Sequence, residues 1–349
     1  MIVIMQTGGD SVRTDGVVRE IEAAGLGAHV FRGAERHVIA VLGAGDVPAA
    51  GRGDGGSGGS DAGVGQVLAR LQEVLVGLPG VERVEGTVRR FQLASREVLP
   101  AGTSFGIGGA RLGGGLLAIV GSARPRPAGE LAALARAAKE AGADVFWTGR
   151  GDGGELRRDL IGALDEIRGE VGLPVLVDVW DPSEVDRLSR HADALQVPGQ
   201  QMQDVPLIRA AGQGDRPVVV CRGQSATIEE WLMAGERVLR EGNRQVALCE
   251  QGIRTFETAV HAVLDFNAIA LAHRLSHLPV LANPSLAIGE ADIVPDLALA
   301  AAAAKADGII LDAHGGPADD PTAGRQPLSI GDAAGLIARL KETRSAVGA

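Results

Sequence analysis

The sequence predicts an α/β protein in which a (β/α)8 TIM barrel over residues 99–349 follows a small ferredoxin-like α+β domain over residues 1–98. Three observations predict it. From Phe105 onward, short β-rich runs are each followed by a helix-length amphipathic segment, and the count of such units reaches eight. Those runs are continuously apolar instead of alternating, as expected of parallel strands buried on both faces. Before them, the first hundred residues read as two βαβ halves.

In order, the front domain offers a strand in MIVIMQ, a helix over Asp15 to Ala24, strands in HVFRG and HVIAVLG, a helix over Gly65 to Val76 and the extended VERVEGTV. The stretch from Gly43 to Gly63 is glycine-rich and almost free of large apolar residues, so a mobile surface loop is expected there. FGIGGARLGG reads as a hairpin closing the barrel bottom. The barrel strands are LLAIVGS, DVFWTG, PVLVDV, ALQVP, PVVVCRG, QVALCE, PVLANPS and GIILDAH. Helices are expected near 127–142, 154–170, 182–190, 201–213, 226–243, 256–273, 292–304 and 330–344.

Composition excludes several functions. A net charge of −10 over 349 residues, with 3% aromatic content, argues against a nucleic-acid surface. No apolar run reaches the roughly 18 residues of a membrane span. MIVIMQTGGD carries no basic segment followed by a cleavable apolar one, so a soluble cytoplasmic protein with reduced thiols is expected. The three lysines, Lys139, Lys305 and Lys341, lie in helical stretches, which leaves no candidate for a Schiff base at a strand end. Cys221 and Cys249 are not spaced as a metal knuckle, and no H-E-x-x-H occurs, so neither a metal nor another cofactor is expected.

Barrel chemistry sits at the carboxyl ends of the strands. That rule nominates Ser122, Ala123, Arg124, Trp147, Arg150, Asp178, Trp180, Gln196, Gln200, Cys221, Arg222, Glu250, Gln251, Arg254, Asn283, Ser285, Asp312 and His314.

Three stretches among these strand ends carry a resemblance: LCEQGIRTFE (Leu248 to Glu257), SHLPVLANPS (Ser276 to Ser285) and CRGQSATIEEWL (Cys221 to Leu232). They resemble the CERGIRTFE, SHLPxxxDPSH and KRGxxxTIEExL segments of the type Iβ 3-deoxy-D-arabino-heptulosonate 7-phosphate (DAHP) synthases. MIVIM, GAERHVIAVLG and FQLASREV are similar to that family's front domain. The resemblance implies condensation of phosphoenolpyruvate with erythrose 4-phosphate on a divalent metal held by cysteine, histidine, glutamate and aspartate. At those positions this chain has Ala123, Leu286, Asp312 and Ala323. The family's anion-binding lysine and arginines are matched by Cys221, Gln251, Gln200 and Trp147, and GRGDGGELRRD stands where the family has KPRTSP. Each lost charge-assisted contact costs on the order of 1.5–3 kcal/mol, so the family reaction is not expected.

Retained residues admit two readings each. Arg222 and Arg254 either grip a carboxylate or phosphate, or pair with Glu250 and Asp178 to hold the mouth. Asp178, Glu250, Asp312 and His314 either form an acid/base set or persist without a role. Cys221 is either a thiol activated by Arg222 for nucleophilic or proton-transfer work, or a small buried residue. Trp147 and Trp180 either line a pocket for a larger, less charged ligand, with Gln200 and Gln251 as further contacts, or pack on the next helix. His277 anchors the turn before the seventh barrel strand, and Cys249 is core.

The leading expectation is a repurposed enzyme performing metal-independent acid/base chemistry, of aldol, isomerisation or cyclisation type, on a small organic substrate with or without a carboxylate. The catalytic candidates are Asp178, Cys221, Glu250, Asp312 and His314. The binding candidates are Arg222, Arg254, Gln200, Gln251, Trp147 and Trp180. One alternative is a catalytically silent regulatory subunit that pairs with an active DAHP synthase, and another is residual synthase activity. Homo-oligomerisation is implied by the resemblance.

Overall fold

The computed structural model describes residues 1–8, 10–33, 36–42, 61–85, 91–124, 126–149, 158–315 and 327–348. Two compact units emerge, Met1–Pro100 and Ala101–Ala349.

The first unit contains β1 (Ile2–Met5), α1 (Ser11–Ala23), β2 (Gly27–Arg32), β3 (His37–Leu42), α2 (Asp61–Val76) and β4 (Val81–Glu85). The sheet order β2-β3-β1-β4, with the pairs β2–β3, β1–β3 and β1–β4 all antiparallel, is the ferredoxin-like arrangement. Period two along β1 divides its side chains: Val3 and Met5 join Val17, Ile21 and Leu75 of the helices, while Ile2 and Ile4 join Val38 and Val98 on the other face. Asp10 begins α1 by accepting from the Val12 N–H at 3.0 Å. Helix α2 starts at Asp61, inside the stretch expected to be loop, and residues 43–60 of that stretch lie outside the described residues.

The second unit opens with a hairpin, β5 (Phe105–Ile107) and β6 (Ala110–Leu112). The barrel strands are β7 (Leu117–Ser122), β8 (Val145–Thr148), β9 (Val175–Asp178), β10 (Ala194–Val197), β11 (Val218–Cys221), β12 (Val246–Glu250), β13 (Val280–Ala282) and β14 (Gly308–His314). Each pairs in parallel with the next, and β14 pairs with β7 to close the ring. The short β15 (Leu328–Ser329) adds to β14. The intervening helices are α3 (Ala128–Glu140), α4 (Arg158–Glu166), α5 (Pro182–His191), α6 (Val205–Gly212), α7 (Ile228–Arg240), α8 (Phe266–Leu275), α9 (Pro284–Ile288), α10 (Val294–Ala303) and α11 (Ile330–Ala346).

Three departures from expectation have local causes. The helix expected over 256–273 starts only at Phe266, because Ile253 and Val263 pair across the preceding loop through reciprocal 2.9 Å hydrogen bonds and Asp265 caps the helix from the Ala268 N–H. The helix expected from residue 201 starts at Val205, capped by Asp204, with Pro206 in its first turn. The strand expected through Ser285 stops at Ala282, where Asn283 accepts from the Leu286 N–H at 3.0 Å and starts α9.

The amino-terminal end of the barrel is closed twice over. Phe105, Ile107 and Leu112 of the hairpin join Ile119, Val145 and Leu176 in the interior cluster. Around them, Asp144, Asp193 and Asp307, each just before a strand, accept an N–H at the start of a neighbouring strand: Ala118 at 2.8 Å, Val175 at 2.9 Å and Val280 at 2.8 Å. Each also meets a basic side chain: Lys341 at 3.2 Å, Arg168 at 2.9 Å and His273 at 3.4 Å. His277 lies at this end too, bonded to Thr103 at 2.7 Å.

Candidate active site

Period two decides what each strand end offers. Trp147, Cys221 and Cys249 belong to the interior cluster with Ala194, Val219 and Ile310. Two residues beyond Leu176 of that cluster comes Asp178, in register with Gln196 of β10, and two beyond Ile310 comes Asp312. Arg222 and Glu250 each follow an inward-facing cysteine, so the pleat turns them the other way, toward the helices.

The interior polar group centres on Asp178, which is 5% exposed. Its Oδ1 accepts from Trp147 Nε1 at 3.0 Å and from Gln196 Nε2 at 2.8 Å. Two fixed N–H donors on one oxygen orient the carboxylate. Gln196 is 1% exposed, and its Oε1 has no hydrogen-bond partner; the same holds for Nε1 of Trp180. Buried polar atoms in native proteins are nearly always bonded to protein, water or ligand, so each of these two has hydrogen-bonding capacity to offer.

Across the barrel, Asp312 Oδ1 accepts from the Ala123 N–H at 3.1 Å, and its own N–H donates to Ser285 Oγ at 3.0 Å. Ala123 and Leu286 pack on the interior cluster as apolar groups. Among the described residues no three His, Cys, Asp or Glu side chains converge as a metal site would require. Ala323 and Arg150 lie outside the described residues.

The second polar group sits between strands and helices. Arg222 Nη1 bonds Glu250 Oε2 at 3.0 Å and Asp265 Oδ2 at 2.9 Å, its Nε donates to the Ala226 carbonyl at 3.0 Å, and the guanidinium stands 5.9 Å from the Trp231 ring. The Gly252 N–H closes the network on Glu250 Oε1 at 2.7 Å. Burial pushes the Glu250 carboxyl above its ordinary value, and Arg222 opposes that rise.

Several expectations change. Arg222 and Glu250 form a buried pair held by Asp265 and do not share the interior with Asp178, Cys221 and Asp312. Arg254 is exposed and its side chain enters no ion pair with Glu250 or Asp178; its backbone N–H bonds the Gln224 carbonyl at 2.8 Å. The Cys221 thiol is pushed up by burial, with Cys249, Asp178 and Glu250 adding to the rise, the reverse of the activation expected from Arg222. Trp147, 1% exposed, fills the barrel interior instead of lining an open pocket or packing on the next helix. Gln200 is exposed on the turn after β10, while Gln251 is buried over Gly199, where a Cβ would come within 2.2 Å of its Nε2. His314 ends β14, half-buried, in register with Ser329. Asp265 escaped sequence reasoning because the segment read as helix, although an aspartate ahead of an apolar run is a cap signal.

The fold defines a (β/α)8-barrel protein with a ferredoxin-like front domain. The DAHP synthetase I family model matches residues 145–349, and the model of the DAHP synthase ferredoxin-like domain matches residues 1–50. The chain belongs to the DAHP synthetase I family. It is 28% identical over 362 residues to the phospho-2-dehydro-3-deoxyheptonate aldolase of Thermotoga maritima, spanning 100% of this chain and 99% of that one. The crystal structure of the DAHP synthase from Thermotoga maritima superposes with a TM-score of 0.71 at 28% identity, covering 99% of this chain and 97% of that one. A truncated form of the Thermotoga maritima synthase gives 0.69 at 32% identity, covering 74% of this chain and 98% of that one.

Proposed function

We propose that this DAHP-synthase-like barrel is repurposed for metal-independent acid/base chemistry, of aldol, isomerisation or cyclisation type, on a small organic substrate. The observation that carries this reading is the buried Trp147–Asp178–Gln196 group with the unpartnered Gln196 Oε1, together with the unpartnered Nε1 of Trp180, two residues beyond Asp178 in the chain. A substrate placed there would offer an N–H or O–H to Gln196 and a lone pair to Trp180, with Asp178 as the proton-transferring carboxylate and Asp312 and His314 as further candidates. Cys221 remains a candidate only in its protonated form. Arg254 is the exposed cation that would meet a substrate carboxylate.

Among the described residues, those at the positions where the resemblance implies metal ligands do not fit a divalent ion: Ala123 and Leu286 offer no donor, and Asp312 is one ligand where several must converge. A second reading, a silent subunit that pairs with an active synthase, is supported by the match of the front domain to the family's ferredoxin-like domain. A cytoplasmic homo-oligomer is proposed in either case.

Thermal-shift measurements with manganese, phosphoenolpyruvate, erythrose 4-phosphate and aromatic amino acids, with product analysis in parallel, test the reading. No response to metal or phosphoenolpyruvate is expected. Metal-dependent heptulosonate formation would overturn it, and stabilisation by an aromatic amino acid or by an active synthase alone would favour the subunit.

A further inference from the structure

The only two cysteines of the chain meet inside the barrel. Cys221 and Cys249 are register partners on the adjacent parallel strands β11 and β12. Both side chains belong to the interior cluster, both are free, and Cys249 is close enough to add to the upward push on the Cys221 thiol. Neighbouring strands run about 4.8 Å apart, inside the roughly 4.4–6.8 Å Cα separation that a disulfide spans. On the concave side of a closed ring, inward Cβ vectors converge, which favours the shorter Cβ separation that the bond also needs. The pair lies toward the carboxyl end of its strands, both side chains buried, so the bond would form beneath the mouth and not at the plugged bottom.

We propose that Cys221 and Cys249 form an oxidation site at which a small-molecule disulfide converts the two thiols into an intramolecular disulfide. One cysteine, as thiolate, attacks a sulfur of the oxidant and expels one thiolate, leaving a mixed disulfide on the protein. The other cysteine then attacks the protein-bound sulfur of that mixed disulfide and releases the second thiol. The protein loses two hydrogens as two protons and two electrons, and the oxidant becomes two thiols. A dithiol regenerates both cysteines by the reverse exchange, so the modification is reversible. Burial keeps the Cys221 thiol protonated and slows the first step, so formation requires sustained exposure to oxidant. This inference is independent of the proposed chemistry: it holds for an enzyme and for a silent subunit alike.

The test uses the full chain, incubated folded with oxidised glutathione, then denatured, alkylated and weighed intact. The expected product has lost two hydrogens, takes up no alkylating agent, yields a peptide joining Cys221 to Cys249, and regains both thiols with dithiothreitol. Cys221→Ala and Cys249→Ala, each checked by its melting curve, should accept at most one glutathione and never show the two-hydrogen loss. Stable glutathione adducts on the unsubstituted chain without a cross-link, cross-links between chains, or two thiols still alkylatable after oxidation that consumes those of the denatured chain would each overturn the proposal.

Discussion

At the amino-terminal end of the barrel, Asp144, Asp193 and Asp307 each satisfy a backbone N–H and meet a basic side chain, over a floor of hairpin side chains. At the carboxyl end the polar groups are more deeply buried and less completely matched: Gln196 Oε1 and Trp180 Nε1 lack partners, and Glu250 and Cys221 have pKa values raised by burial. The same strands thus end in a finished seam on one side and in polar capacity left open on the other. In barrels the first pattern serves stability and the second serves chemistry. Substitutions can break or sharpen that contrast.

The largest effect is expected from Trp147→Ala, which opens a void in the interior and strips a donor from Asp178. A cost of about 3–5 kcal/mol in chemical denaturation is expected. A cost below about 1 kcal/mol would mean that the mouth layer is loosely filled and that the contrast fails. Nearly as large is Arg222→Ala, which leaves the buried Glu250 and the half-buried Asp265 without their cation, at about 3–5 kcal/mol. Its measurement separates the strand–helix network, which holds the fold, from the interior group around Asp178.

The pH dependence follows from Glu250. Its folded pKa lies above the unfolded 4.5, so the folded state holds more protons in that window. Stability contributed by the protonated carboxyl is complete below pH 4.5 and is lost as pH rises through the folded value. Glu250→Gln removes this loss, so the stability difference between variant and parent should move in the variant's favour as pH increases from 4.5, read from denaturation curves across pH. A flat difference would show that Arg222 holds Glu250 ionised throughout.

At the closed end, Asp193→Ala removes the acceptor for Val175 and the partner of Arg168, at about 1–3 kcal/mol. Ligand responses should be unchanged. The smallest effect on stability belongs to the exposed Arg254→Ala, within about 0.5 kcal/mol. That variant should nonetheless weaken binding of any carboxylated ligand found for the mouth, and unchanged affinity by calorimetry would remove Arg254 from the site.

The barrel strands were legible because continuous apolar runs have few other uses in a chain of this kind. The parity that sends Cys221 and Arg222 to opposite faces follows from the pleat alone, yet the sequence reading set Arg222 beside the Cys221 thiol. Asp265 was not legible as the partner of Arg222, because a contact 43 residues apart exists only once α8 is positioned. Nor was the start of α8 visible: Phe256 and its neighbours fit a helical pattern, yet Phe256 is 98% exposed on a loop fixed by the Ile253–Val263 pairing. The contact between the two cysteines was hidden for the opposite reason. Each looks like ordinary core until the strand register sets them side by side.

The chain has three tryptophans and no tyrosine, and all three belong to the carboxyl-terminal side of the barrel strands: Trp147 in β8, Trp180 just after β9 and Trp231 in the first turn of α7. Trp147 donates to Asp178, Trp231 donates to the Val220 carbonyl at 2.9 Å beside the Arg222 guanidinium, and Trp180 follows β9 by two residues with its N–H unused. Near-ultraviolet absorption and emission therefore originate almost wholly from this end of the molecule. The protein carries a built-in optical reporter: a change in emission colour or intensity reads the state of the barrel mouth without any attached dye.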